Sequence, residues 1–443
     1  MITEFTVENF KSYRRPTTLP LGPLTLLVGA NASGKTNLLE ALHVLSQLAD
    51  GQRLADLFLD VVRTDEVRGR VTDMLYHAGG HPKPDQGELA FGCTLDGTNW
   101  PEFSARIRVD AEDARVVDER MESPDEIVPL YEVREPAPEH RHEVKVAYNN
   151  FAKGGKKPTI FCSDRRAVFT QLDIASRFQR EASQTVIPAT VEAFSQTLRD
   201  IAFYDFEPAA MRFYSSRADG ETLDENGSNL SSVLYHLTRV QDERGTERVL
   251  EFIRDLPEQQ IEGIEFHATP RAEVMLRLGE SFGGPVEYRD APVLSDGTLR
   301  VLAIAAAILS APKGALVVME EIDNGVHPSR AANLLASIRR VAEERDLSVL
   351  LTSHNPAIAD AMPDAAVPDI VACYRDPDEG DSRLVRLNDL VEYPELVARA
   401  SIGRLMTSRV LERTLHQQQS EEERLAEVQR ETADLIARLG ART

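Results

Sequence analysis

Hydrophobic and polar positions change their period several times along this 443-residue chain. Residues 2–7 alternate, residues 24–28 are apolar apart from Thr25, and residues 37–48 repeat their apolar positions at helical spacing. A period of two marks a half-buried strand, and a three-to-four spacing marks a helix. The opening therefore predicts strand, turn, strand, loop and helix, the start of an α/β fold. Residues 89–93 and 103–107 flank Asp96-Gly97-Thr98-Asn99, which predicts an antiparallel hairpin. Residues 188–203 predict a helix with Pro188 near its first turn, and Ser228-Asn229-Leu230 opens another through His236. Strand-forming segments follow at 264–267, 273–278 and 370–374, and the segment from Glu395 onward is helical. There, Leu425, Val428, Leu435 and Leu439 form a heptad seam too short to define a coiled coil.

Chemistry enters at the loop between the second strand and the first helix. Gly29-Ala30-Asn31-Ala32-Ser33-Gly34-Lys35-Thr36 fits G-x-x-x-x-G-K-[ST] in the strand-to-helix setting that this motif requires. Its glycines let backbone N–H groups turn inward around phosphate oxygens, and the helix N-terminus favours negative charge. Lys35 spans the β- and γ-phosphates and Thr36 ligates magnesium. Gly29, Asn31, Ser33, Gly34, Lys35, Thr36 and the adjoining Asn37 are the expected contacts to ATP, with Mg2+ as cofactor.

The other candidate residues lie far downstream. Leu294-Ser295-Asp296-Gly297-Thr298 precedes an apolar helix, and Ser295 and Gly297 offer a hydroxyl and free N–H groups suited to a γ-phosphate. Taken alone, Ser295 also reads as an ordinary N-cap. The strand 315–319 runs into Glu320-Glu321, at the edge where α/β sheets open their crevice. Glu320 is expected in the magnesium shell, and Glu321 is expected to polarise an attacking water. A second apolar strand, 347–352, brings His354 to the same edge, the place for a γ-phosphate sensor.

Composition narrows the partners. A formal net charge of −22 opposes generic adhesion to nucleic acid or to an anionic membrane, while leaving room for a local basic groove. Lys153, Lys156, Lys157, Arg165 and Arg166 are the candidates for such a face, and a solubilising loop explains them equally well. The dense acids Asp110, Glu112, Asp113, Asp118, Glu119, Glu122, Asp125 and Glu126 read as a solvated loop or hairpin rim. Cys93, Cys162 and Cys373 lack metal spacing and read as buried thiols in a reducing cytoplasm. No apolar run reaches membrane length and no leader pattern opens the chain, so a cytoplasmic protein without a membrane contact is expected.

Together these motifs resemble the ABC-type ATPase heads of the SMC, RecF and OLD-like group. Phe10-Lys11-Ser12-Tyr13 looks like the SMC N-terminal F-K-S-Y element, and residues 294–298 look like the S-D-G-T signature variant. Glu320-Glu321-Ile322-Asp323-Asn324-Gly325-Val326-His327-Pro328 resembles E-E-P-E-N-G-L-H-P, departing at Ile322 and Asp323. The resemblance implies an α/β fold: an ABC-type P-loop NTPase head with an antiparallel β subdomain and an inserted α/β region. Residues 1–109 and 227–394 would form the two halves of the head, 110–226 the insertion and 395–443 a helical tail. It also implies Lys11 and Ser12 near the nucleotide, catalysis by Glu321 and His354, and a homodimer through ATP in which Ser295 and Gly297 act on the opposing head. A Q-loop glutamine is implied too, with Gln171 and Gln179 as candidates. Long coiled-coil arms are excluded, since no long heptad run occurs. The nearest resemblance is to compact ATPases that work with an effector nuclease or toxin, as in the PARIS AriA, Septu PtuA and OLD families of anti-phage defence. A RecF-like DNA-repair ATPase is the alternative. A self-sufficient OLD-like nuclease is a second alternative, disfavoured because the acidic turn at 376–381 reads as solvated and too little chain follows for a nuclease domain.

Overall fold

In a computed structural model, the alternating N-terminal run is strand β1 (Ile2–Glu8), paired antiparallel with β2 (Thr17–Pro20). The apolar run is β3 (Thr25–Val28), and the helical spacing after it is α1 (Lys35–Gln47). The structure describes residues 1–63, 67–77, 84–136, 142–241, 244–253, 260–281, 283–324, 328–390 and 401–407. After α2 (Leu54–Arg63), the expected hairpin forms as β4 (Gln86–Leu95) and β5 (Glu102–Asp110). The sheet then grows through β6 (Ala114–Glu122), β7 (Tyr131–Glu135), β8 (Glu143–Tyr148) and β9 (Thr159–Ser163). Eight strands lie in the order β2-β1-β4-β5-β6-β7-β8-β9, all neighbours antiparallel.

The acidic stretch after Asp110 is therefore a strand as well as a hairpin rim. Val116 and Met121 of β6 are buried among its acids, and so is Glu119, with no exposure at all. Three donors converge on that carboxylate: the Tyr131 hydroxyl at 2.9 Å and the Val168 and Phe169 N–H groups at 2.7 Å each. Burial nevertheless pushes its pKa up to about 7, because desolvation outweighs the three hydrogen bonds. Residues up to Ser163, expected within an insertion, continue the N-terminal sheet. Helix α3 (Glu181–Arg199) follows, and it holds Pro188 inside rather than in its first turn. Its buried stripe of Ser183, Ile187, Val191, Phe194 and Leu198 extends to both sides of the proline. Packing of that stripe overrides the local cost of about 3 kcal/mol.

Strand β10 (Ala202–Tyr204) leads to β11 (Ser215–Ser216), α4 (Leu230–His236) and α5 (Gly245–Ile253). Next come β12 (Gln260–Ala268), β13 (Glu273–Ser281) and β14 (Glu287–Asp290), which with β11 make a small antiparallel sheet centred on β13. The remainder is α6 (Asp296–Ser310), β15 (Leu316–Met319), α7 (Pro328–Glu344), β16 (Ser348–Ser353), α8 (Pro356–Asp360), β17 (Ile370–Arg375) and β18 (Ser382–Arg386). A short helix, Ile402–Thr407, is tied to α8 by the Gly403 N–H, which donates to Asp360 Oδ1 at 2.7 Å. The heptad seam at 425–439 and the Gly325-Val326-His327 part of the motif lie outside the described residues.

The order β10-β15-β16-β3-β17-β18 forms a second sheet, parallel except for β18. Alternation along its strands divides two cores. Leu26 and Val28 of β3, Val317 and Met319 of β15, and Val349 and Leu351 of β16 face the helical layer of α6 and α7. Leu27, Leu316, Val318 and Leu350 face α1 and the antiparallel sheet. A parallel sheet buried on both faces carries near-continuous apolar strands, which is how these three appear in the sequence. The three cysteines are free and buried, and no helix among the described residues is long and apolar enough to cross a membrane.

Candidate nucleotide site

The C-terminal ends of β3, β15 and β16 open into one cavity of about 410 Å3. Asn31, Ala32, Ser33, Gly34, Lys35, Thr36 and Asn37 form one wall, and Glu320, Glu321, Thr352, Ser353 and His354 form the other. Arg68 and Arg375 complete the lining. The predicted phosphate loop, paired carboxylates and histidine are thus brought together.

The loop is held from beneath by residues distant in sequence. Gly34 takes φ 119°, and a Cβ there would lie 2.2 Å from Ser382 Oγ. A Cβ at Gly29 would lie 2.3 Å from the Cys373 carbonyl oxygen. Both positions need glycine, one for conformation and both for close approach. The Ser382 hydroxyl lies 2.6 Å from the Ser33 carbonyl and 2.7 Å from Ser12 Oγ, while Asn37 Nδ2 donates to Ser12 Oγ at 2.8 Å. Tyr13 donates its hydroxyl to the Gly34 carbonyl at 3.1 Å, and Arg375 donates to the Ala32 carbonyl at 3.1 Å. Ser33 Oγ is buried with no hydrogen-bond partner among the described residues, an orphan hydroxyl in the cradle that phosphate oxygens suit.

Lys35 lies across its own loop, donating to the Gly29 carbonyl at 2.7 Å and the Ala30 carbonyl at 3.2 Å. Burial lowers its pKa, opposed by the nearby Cys373, Glu321, Asp323 and Glu320. Glu320 is held at the end of β15, where its N–H bonds the Tyr204 carbonyl at 3.0 Å. Its pKa is pushed up to about 7 by burial first, then by Asp205 and Glu321. Glu321 adopts φ 46°, a left-handed conformation costly for a side chain of its kind. It is pinned on both sides. Its N–H donates to Thr352 Oγ1 at 3.0 Å, and its Oε2 accepts from Asn324 Nδ2 at 2.5 Å.

His354 is positioned through Asp323, whose carboxylate is 5% exposed. The Ser353 hydroxyl donates to Asp323 Oδ1 at 2.6 Å, and His354 Nδ1 lies 3.7 Å from Oδ2. The departure at Asp323, one methylene shorter than the glutamate of the motif, keeps a carboxylate behind the histidine. Asp205, the residue after β10, was missed by the sequence reading. The parallel register that sets Tyr204 opposite Met319 carries Asp205 to the side of Glu320. Arg68 and Arg375 were also missed, since neither lies in a motif; Arg375 closes an apolar strand, and its type was the only signal.

Gly29, packed against the Cys373 carbonyl, is not part of the lining, and neither are Lys11, Ser12, Gln171 and Gln179. Lys11 forms a buried ion pair with Glu40 and donates to the Arg68 carbonyl at 2.8 Å, so its ammonium is engaged away from the cavity. Ser12 supports the loop from behind rather than facing the cavity. Gln171 is folded onto Ser163, bonding its N–H at 2.8 Å and its carbonyl at 2.9 Å, and the Gln179 N–H bonds the Tyr148 hydroxyl at 3.2 Å. Neither glutamine lines the cavity, and the end of β10 carries Asp205 instead.

Ser295 and Gly297 stand apart from the cavity too, at the start of α6. Ser295 is exposed and is an N-cap: its hydroxyl accepts from the Thr298 N–H at 3.1 Å. Thr36 and Glu320 both line the cavity and are the side chains that would offer oxygen donors to a magnesium ion. No three His, Cys, Asp or Glu side chains converge as a metal cage among the described residues. A donor set this small suits Mg2+, which is commonly shared between one or two protein oxygens and substrate phosphates.

Comparison with known proteins follows this geometry. The model described as "AAA ATPase domain" matches residues 1–131, and that described as "AAA domain, putative AbiEii toxin, Type IV TA system" matches residues 166–360. Among solved structures, the SmcHead bound to the C-winged helix domain of ScpA is 15% identical, with 87% of this chain and 96% of that chain covered and a TM-score of 0.48. The SMC head domain from Thermotoga maritima is 13% identical, with 87% and 98% covered and a TM-score of 0.40. The Smc head domain with an extended coiled coil from Pyrococcus furiosus is 12% identical, with 90% and 99% covered and a TM-score of 0.44. No curated protein sequence matches this one. The phosphate loop on its parallel sheet accords with the AAA-type ATPase domains that these two segments match, and together they support a nucleotide-binding ATPase domain. The fold sets a large antiparallel sheet beside that P-loop sheet.

Proposed function

We propose that this chain binds ATP with magnesium and hydrolyses it between two paired copies of itself, as a switch for a separate effector. One observation carries the reading: the cavity gathers Lys35, Thr36, Glu320, Glu321 and His354, while Ser295 lies exposed on the N-terminus of α6, outside that cavity. A γ-phosphate held by the loop of one copy is then open to Ser295 and Gly297 of another.

Asn31, Ser33, Gly34 and Asn37 cradle the phosphates, and Lys35 swings from the Gly29 carbonyl to the β- and γ-oxygens. Thr36 and Glu320 would hold magnesium, which neutralises developing charge on those oxygens. Glu321 accepts a proton from the attacking water, oriented by Asn324. His354, backed by Asp323, contacts the γ-phosphate and senses its loss. Hydrolysis removes the link between heads. A role in anti-phage defence, with an effector nuclease or toxin as partner, accords with the resemblance to compact defence ATPases and with the toxin–antitoxin system named in the matched description. The exposed Lys153 and Lys156 leave a DNA-contacting reading in play as the second.

Glu321→Gln tests the reading. ATP and magnesium should still bind while turnover falls about a hundredfold or more, and light scattering should show the dimer accumulating with ATP. Turnover at the parental rate would place the catalytic carboxylate elsewhere. An inactive variant whose assembly ignores ATP would show that other surfaces hold the pair.

A further inference from the structure

We propose that Arg212 is the positioning residue of the signature loop, fixing its shape and cancelling the charge of Asp296 before it meets the γ-phosphate of a second head. The proposal rests on the two-head reading above.

Arg212 ends a short 3-10 turn, Ala210–Arg212, in the segment that leaves β10 beside the magnesium-side carboxylates. Its Nη1 donates to the carbonyls of Ala291 at 3.2 Å, Pro292 at 2.8 Å and Leu294 at 2.8 Å. Its Nη2 donates to Asp296 Oδ1 at 2.5 Å. One guanidinium therefore gathers three carbonyls of the short loop that delivers Ser295, together with the first acid of α6. Ala291 and Leu294 anchor the ends of the loop in the core, while Pro292 and Val293 between them project into solvent, so Arg212 holds the exposed part that apolar packing does not reach. A planar, permanently charged fork suits the task, and a lysine ammonium cannot span the same acceptors.

Charge gives the second part of the argument. Asp296 is 68% exposed and adjoins Ser295, so left alone it would repel an incoming phosphate at the one helix end meant to receive it. Arg212 removes that repulsion. The acid of the S-D-G-T signature variant thereby acquires a partner.

The test uses the full chain. Arg212→Ala should leave ATP binding to the isolated head within about twofold of the parent while lowering kcat about tenfold or more and abolishing ATP-dependent pairing. Asp296→Asn on that background should recover part of kcat, since it removes the uncompensated charge. Arg212→Lys keeps the charge and the fold and should show an intermediate kcat. Mixing then separates the proposal from the reading beneath it. Arg212→Ala mixed with Lys35→Ala should regain a part of the parental rate that neither variant shows alone, because a mixed pair has one competent site, formed by the phosphate loop of the first and the intact signature loop of the second. Ser295→Arg mixed with Lys35→Ala is the control. Recovery in both mixtures supports the proposal. Recovery in the control alone would overturn it and leave two-head catalysis standing, and recovery in neither would overturn both. A folded Arg212→Ala or Arg212→Lys with parental kcat would also overturn it.

Discussion

Glu320 shows how one side chain couples pH to nucleotide. Burial and two acidic neighbours raise its pKa to about 7, against 4.5 for the free group. The folded protein therefore holds a proton that the unfolded chain has released between those values, so this residue costs stability as pH rises through the interval. Glu320→Gln is expected to raise the melting temperature of the nucleotide-free protein by about 1–3 °C at pH 8 and to leave it unchanged at pH 4. Magnesium prefers the ionised carboxylate, so binding Mg–ATP at pH 6.5 should release a proton. Calorimetry in two buffers of different ionisation enthalpy would read that proton in the parent and not in Glu320→Gln. An equal release in both would assign the titrating group elsewhere.

Among the elements, the β17–β18 hairpin does most to shape the phosphate loop, since Cys373 and Ser382 close upon Gly29, Ser33 and Gly34. Gly34→Ala must fit a methyl 2.2 Å from Ser382 Oγ at φ 119°. It should cost about 1–3 kcal/mol of stability and weaken ATP binding tenfold or more, measured by denaturant titration and calorimetry. Adding Ser382→Gly should return part of the stability by removing the clash while the backbone strain stays. A fully stable Gly34→Ala would mean that the hairpin yields. None of this clamp was legible beforehand, because residues about 350 apart carry no mutual signal in one sequence. The loop itself, the strands that lead into Glu320 and His354, and the 89–107 hairpin were legible, each resting on local periodicity and turn chemistry. Glu119 and Asp205 were not: a buried acid reads as a solvated one until its strand neighbours are known. Lys11 was drawn to the site by a motif, and Glu40, one turn along α1, claimed it.

At the scale of the whole molecule, the proposed pairing would bring two copies that each carry −22 face to face. Raising salt from about 20 to 150 mM shortens the screening length severalfold and should tighten ATP-dependent pairing of Glu321→Gln in sedimentation velocity. Weakening with salt would mean that attractive pairs at the interface outweigh the mutual repulsion. The clamp beneath the phosphate loop also sets a timetable. Ser33 leaves the ribosome 349 residues before Ser382, its hydrogen-bonded support. At ordinary synthesis rates of about 5–20 residues per second, that interval is about 20–70 s. Once Ser163 has been made, the nascent chain holds every strand of the antiparallel sheet but a phosphate loop without a floor, and β3 waits as a lone strand for β16 and β17. Nucleotide affinity should therefore arise late and in one step, when the hairpin docks, so ATP can serve as a ligand that favours the finished chain over any truncated one.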